Sequence, residues 1–229
     1  MIGLVVAITL VWGGWALAMW SGFHLQTLGI TGTTHVSRAV VVAQAAIDRD
    51  VNVWLLDRRA IERRIEAIPY VATARLQLRP LASVWIDVVE RTVEACVRDG
   101  TGNVATVDRD LRVVEAGCAD GTPLAYDVRG SLDERPGIFL HDEELVRLQR
   151  DARALAASGD RFRRVGHDEL GAFEGTLHDG IRVRFGDDAD LDVKQRLIGP
   201  ILAQLGARAA SVRAVDLRAP ATPVVEYRR

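Results

Sequence analysis

The chain of 229 residues has little of what usually announces chemistry. It holds two cysteines, one lysine and five histidines, and aromatic residues make up 6% of it. His24, His35, His141, His167 and His178 lie in separate segments, without the H-E-x-x-H spacing of a zinc site. No G-x-S-x-G elbow or Walker A loop occurs, so no nucleophile or phosphate cradle is offered. A formal charge of −2 argues against general nucleic-acid binding, which wants a concentrated basic face. Nothing points to a cofactor or a small-molecule substrate, and the expectation is a protein that is not an enzyme. A cell-wall hydrolase would need a nucleophile or a metal cluster. Positive charge is almost all arginine, Lys194 being the only lysine.

Charge is also missing from the start. Met1 to Trp20 contains no charged residue, and twenty helical residues span roughly the 30 Å hydrocarbon core of a bilayer. Residues 1–22 are therefore expected to be a transmembrane helix in the lipid bilayer, with Trp12, Trp15 and Trp20 suited to an interface. Ala16-Leu17-Ala18 resembles a signal-peptide cleavage site, but the apolar run is long and lacks a basic n-region. The first basic residue is Arg38, so the positive-inside rule gives no orientation.

What is present is strand and helix periodicity. From Ile68 to Arg91 two alternating runs, with Ala72, Ala74, Leu76 and Leu78 on one face and then Val84, Ile86 and Val88, meet at Pro80 and predict an antiparallel hairpin. Upstream, Val36, Val40, Ala43 and Ile47 predict one helix, and Ile61, Ile65 and Ile68 a second, capped by Asp57. Leu25 to Ile30 is expected to be a strand, which gives the order β-α-α-β-β over residues 23–91.

Beyond Thr92 a second, β-rich domain is expected over residues 92–229. Its strands are predicted at 94–97, 104–108, 111–114, 162–165, 172–177, 181–185, 212–217 and 224–227. Asp142 should cap a helix from Glu143 to Ala157 ending near Ser158-Gly159. Another helix should run from Leu191 to Leu205, with a kink or break near Gly199 because Pro200 removes a backbone hydrogen bond. Cys96 and Cys118 admit two readings, a disulfide closing some twenty residues or two buried thiols. Asp188, Asp190 and Asp192 have the spacing that opens a calcium loop, but Val193 and Gly199 stand where that loop needs glycine and a bidentate carboxylate. The simpler reading is carboxylates at a helix N-terminus.

Phe23, Ile30-Thr31-Gly32, Val36-Ser37, Asn52-Val53-Trp54-Leu55, Ile68-Pro69-Tyr70-Val71, Arg79-Pro80 and Glu90-Arg91 together resemble the POTRA domain of the bacterial FtsQ/DivIB family. Val107-Asp108, the run from Gly180 to Gly186, and Val215-Asp216-Leu217-Arg218 resemble the β domain that follows it there. Two positions depart from the family pattern: Val93 replaces a proline and Leu111 replaces a turn glycine. The resemblance implies an α+β protein made of an N-terminal transmembrane helix, a POTRA domain and a mixed β-rich α+β domain. It also implies a cytoplasmic N-terminus, an extracytoplasmic bulk in the cell (inner) membrane, and enrichment at the division septum. Family members usually carry a basic cytoplasmic tail, so this chain is expected to have lost it or to start further upstream.

The implied role is a divisome scaffold that binds FtsB by strand addition, with FtsL completing the complex, and helps control septal peptidoglycan synthesis. The residues expected to carry that contact are Arg218, Val224, Val225, Glu226 and Tyr227. An aspartate or a proline at Val225 is expected to abolish capture and leave the fold intact. The alternative is a membrane-anchored POTRA chaperone or assembly factor for exported or outer-membrane proteins; such modules usually occur in tandem, and this chain shows no internal repeat.

Overall fold

Alternation in the sequence of β2 (Val71–Arg79) and β3 (Ser83–Glu90) produces the expected antiparallel hairpin, which buries Ala74, Leu76, Val84, Ile86 and Val88. The turn after Pro80 is made by Leu81 and Ala82, both at positive φ. β1 (Thr27–Thr31) lies parallel to β3, so the sheet order is β1-β3-β2. This computed structural model describes residues 2–18, 20–122, 124–156 and 162–228. The chain divides into two compact units, Met1–Arg91 and Thr92–Arg229.

Helix α1 spans Ile2–Ala18, and its described side chains from Leu4 to Trp15 include no charge. At 17 residues it is about 25 Å long, shorter than the expected span of residues 1–22. Among the described residues no helix is long and apolar enough to cross a membrane. Met1 and Met19 lie outside the described residues.

The next two helices are set by their caps. Ser37 accepts from the Val40 amide and starts α2 (Arg38–Ala45), and Asp57 accepts from the Ala60 amide and starts α3 (Arg58–Glu66). In each, the residue before the cap and the fourth helical residue join the same buried cluster: Val36 with Val41, and Leu56 with Ile61. That is the arrangement of a hydrophobic staple. It corrects the stripe expected for α2, because Val41 and Ala45 are buried while Val40 and Ala43 are exposed, and Ile47 falls beyond the left-handed cap Ala46.

Gly32 and Gly29 have specific steric reasons to be glycine. Gly32 sits at φ +80°, where a Cβ would collide with the Val88 carbonyl; a Cβ on Gly29 would meet the Trp85 ring. Glu90, at the end of the hairpin, accepts the backbone amides of Thr34 (2.8 Å), His35 (2.9 Å) and Val36 (2.9 Å), tying β3 to the entry of α2.

The second unit is one nine-stranded sheet, ordered β12-β11-β10-β9-β8-β7-β4-β5-β6. Its strands are β4 (Val93–Arg98), β5 (Val104–Asp108), β6 (Val113–Ala116), β7 (Ala125–Asp127), β8 (Phe162–His167), β9 (Phe173–Leu177), β10 (Arg182–Gly186), β11 (Val212–Asp216) and β12 (Val224–Tyr227). Helices α4 (Glu143–Ala156) and α5 (Leu191–Leu205) pack together, and Leu145, Leu148, Leu155, Leu191 and Ile198 join the sheet residues Tyr126, Val165, Phe173, Val183, Phe185 and Val215 in one core. Tyr126 donates to Glu94 Oε1, which also receives Gln149 and Arg153 from α4. Asp142 caps α4 through the Leu145 amide; the expected end at Ala157 and Ser158-Gly159 lies outside the described residues.

Two expectations are altered here, at residues 111–114 and at Pro200, and one strand is added. The strand expected at 111–114 begins at Val113, because Leu111 occupies a left-handed turn (φ +58°) in which Asp108 Oδ1 accepts from the amides of Asp110 and Arg112. Burial of the Leu111 side chain offsets the usual cost of about 1–2 kcal/mol for that backbone conformation. β7 was not expected: three residues are too few to show alternation. α5 runs unbroken through Pro200, held by its buried residues Leu191, Lys194, Gln195 and Ile198. As the simpler reading of the three aspartates has it, Asp190 is the cap residue of α5, without a side-chain cap bond, and Asp192 lies in its first turn, paired with Arg196, while Asp188 pairs with Arg150. Cys96 and Cys118 form a disulfide, with Cα atoms 5.4 Å apart.

Candidate functional site: an open sheet edge

β12 is the outermost strand of the nine-stranded sheet and pairs antiparallel with β11, Val215 opposite Val225 and Asp216 opposite Val224. Which backbone groups it leaves free follows from strand alternation. The Leu217 amide donates to the Arg184 carbonyl (2.8 Å) on the β10 side, so the alternate residues Asp216 and Ala214 turn their backbone groups toward β12. Their partners Val224 and Glu226 therefore face inward, and Val225 and Tyr227 point their N–H and C=O groups away from the sheet. The Arg228 amide, which donates to Ser211 (2.7 Å), keeps the same parity. An edge of this kind can accept another extended strand.

The side chains of the five expected residues divide among different tasks. Val225 packs against the core, while Val224 and Tyr227 are exposed. Glu226 is held by Arg184, Oε1 to Nη1 at 2.6 Å. Arg218, in the segment joining β11 to β12, turns back on Asp216 (Nη2 to Oδ2 2.6 Å), and its stem lies over Gly186, where a Cβ would come within 3.0 Å of Arg218 Cγ. That hydrogen bond holds the Asp216 carboxyl below its ordinary value and raises Arg218. Val224, Val225, Glu226 and Tyr227 are thus one edge strand, and Arg218 is half-exposed just before it.

The histidines stay apart. His35 stacks on Tyr70 and bonds Glu90, whereas His167 is buried 3.9 Å from both Glu144 and Asp151, and burial pushes its pKa down. Among the described residues no group of three or more His, Cys, Asp or Glu side chains is placed to hold a metal ion. Sequence reading missed the basic character of the solvent face beside this edge, where Arg163, Arg164, Arg182, Arg184 and Arg213 meet. No sequence signal marks it, because bulges that are invisible in the sequence bring two of the five there.

Residues 23–91 match the family described as the POTRA domain, FtsQ-type. The chain is 27% identical over 228 residues to the cell division protein FtsQ of Myxococcus fulvus, covering 93% of this chain and 78% of that protein. It is 25% identical over 226 residues to the cell division protein FtsQ of Syntrophotalea carbinolica, covering 94% and 77%.

Proposed function

We propose that the chain is a non-catalytic divisome scaffold of the FtsQ/DivIB family of bacterial cell-division proteins, whose β12 edge captures a partner strand; the FtsQ-type POTRA match and the two FtsQ relatives support the family. The observation that carries this reading is the outward-facing backbone of Val225 and Tyr227 on an uncovered edge. By family analogy the strand comes from FtsB, with FtsL completing the complex that helps control septal peptidoglycan synthesis. Arg218 supplies a planar fork beside the edge for a partner carboxylate. Residues 23–91 form the POTRA domain and 92–229 the partner-binding β domain.

In this reading α1 and its flanks anchor the chain in the cell membrane, with the bulk extracytoplasmic and gathered at the septum. The helix suits lipid because it is apolar on every side, Leu4, Val5, Ile8, Val11, Trp12 and Trp15 all being exposed. The hydroxyl of Thr9 is satisfied by the Val5 carbonyl at 2.9 Å, as hydrocarbon requires. An oxidising compartment agrees with the Cys96–Cys118 bond.

Depletion of the protein in its source bacterium, with imaging, tests the role. The expected outcome is filamentation with unsplit septa; normal septa with defective outer-membrane or secreted proteins would point instead to a POTRA assembly factor.

A further inference from the structure

Among the described residues five strands of the second unit carry an extra residue at a register shift, and in two of them, β8 and β11, that residue is an arginine. In β8, Phe162 pairs with Leu177 and Arg164 with Thr176, which leaves Arg163 unmatched. In β11, Val212 pairs with Tyr227 and Ala214 with Glu226, which leaves Arg213 unmatched. Bulges re-aim side chains, and here Arg163 and Arg213 join Arg164, Arg182 and Arg184 around one hollow of about 220 Å³ on the open face of the sheet. Arg228 stands at its rim, its Nη2 near Gly180.

The charge there is only partly answered. Arg164 Nε lies 3.3 Å from Asp127, and Arg184 is paired with Glu226 at 2.6 Å. Among the described residues Arg163, Arg182 and Arg213 have no carboxylate within ion-pair distance, so five guanidiniums face two carboxylates. Such a concentration of like charge needs a counter-ion with several oxygens. One carboxylate offers two oxygens and is filled by a single fork, whereas a phosphoryl group carries more charge and enough oxygens for several forks. At about 220 Å³ the hollow suits a compact anion better than an extended acidic segment.

We propose that this hollow binds a phosphoryl anion, either a free oligophosphate such as pyrophosphate or the headgroup of an acidic phospholipid. The site is separate from strand capture, since it uses side chains on the sheet face and not the backbone of β12.

Calorimetric titration of the full chain in neutral detergent, with inorganic pyrophosphate and with glycerol 3-phosphate, tests it. Saturable binding is expected, weakened about tenfold or more in an Arg182→Ala, Arg213→Ala double variant and unchanged in Arg38→Ala. Tighter binding of pyrophosphate assigns a free oligophosphate, and tighter binding of glycerol 3-phosphate a lipid headgroup. Circular dichroism reports the fold of the double variant; if it fails to fold, Arg182→Lys with Arg213→Lys keeps the charge, removes the forks and is still expected to weaken binding. The proposal is overturned if neither phosphate binds at millimolar concentration, or if the folded variants bind as the parent does. Tighter binding of a glutamate-rich peptide than of either phosphate would also overturn it and make the face a protein contact.

Discussion

Arg218 and Asp216 form a closed pair two residues apart, Nη2 to Oδ2 at 2.6 Å and Nε 3.0 Å from both carboxylate oxygens. Asp216 is nearly covered and Arg218 is 59% exposed, so the pair orients the guanidinium beside β12 and leaves one side of it open. Arg218→Ala should lower affinity for the partner strand about tenfold to a hundredfold, as loss of an interfacial charge contact does. Stability should change by less than about 1 kcal/mol, because the ion pair is at the surface. Calorimetry of binding and urea unfolding on the same variant separate the two effects; a stability loss with unchanged affinity would make the arginine structural.

Glu90 gives the first unit a pH limit. Burial tends to raise its carboxyl, but the amides of His35, Val36 and Thr34 together with the His35 ring outweigh it and lower the pKa from 4.5 to about 2. A carboxyl depressed on folding stabilises the folded chain above its unfolded value and stops doing so as pH falls through the folded one. Stability should therefore drop between about pH 4.5 and pH 2. Glu90→Gln should flatten that part of the profile in thermal unfolding followed by circular dichroism. An identical profile in the variant would assign the acid sensitivity elsewhere.

Gly32→Ala should destabilise the first unit by about 2 kcal/mol or more, combining a disfavoured backbone conformation with a collision at the Val88 carbonyl. Gly102→Ala, also at positive φ but in open space, carries only the conformational cost and should lose less. Equal losses in chemical denaturation would mean that close packing at Gly32 is unimportant.

The Cys96–Cys118 bond links residues 22 apart in sequence, and removing it through a Cys96→Ser, Cys118→Ser pair should cost about 3 kcal/mol by chain entropy. Reductant should lower the unfolding midpoint of the parent and leave the double variant unmoved.

What could be read in the sequence is what repeats locally. The hairpin at 71–90 follows from alternation, α3 and α5 follow from their stripes, and Asp57 and Asp142 act as caps where expected. The burial phase of α2 was hidden because Val40, Val41 and Val42 are chemically alike, and only packing selects Val41. Lys194, the single lysine, is buried against Asp187, a pairing with no local signature. At the candidate site the strand from Val224 to Tyr227 was legible, but which backbone groups face outward depends on register with β11 and on the bond from Leu217 to Arg184. The arginine hollow depends on two bulges, and a bulge is a relation between strands.

Strand capture at β12 is tested most directly by Val225→Pro in the full chain, with binding of the partner segment measured beside the unfolding midpoint. Val225 packs against the core, so the aspartate expected to be harmless to the fold would place a charge there. Proline instead removes an N–H that points away from β11, which an edge strand tolerates. The account predicts that partner binding is lost while the unfolding midpoint stays close to that of the parent; full-strength binding by the folded proline variant would contradict it.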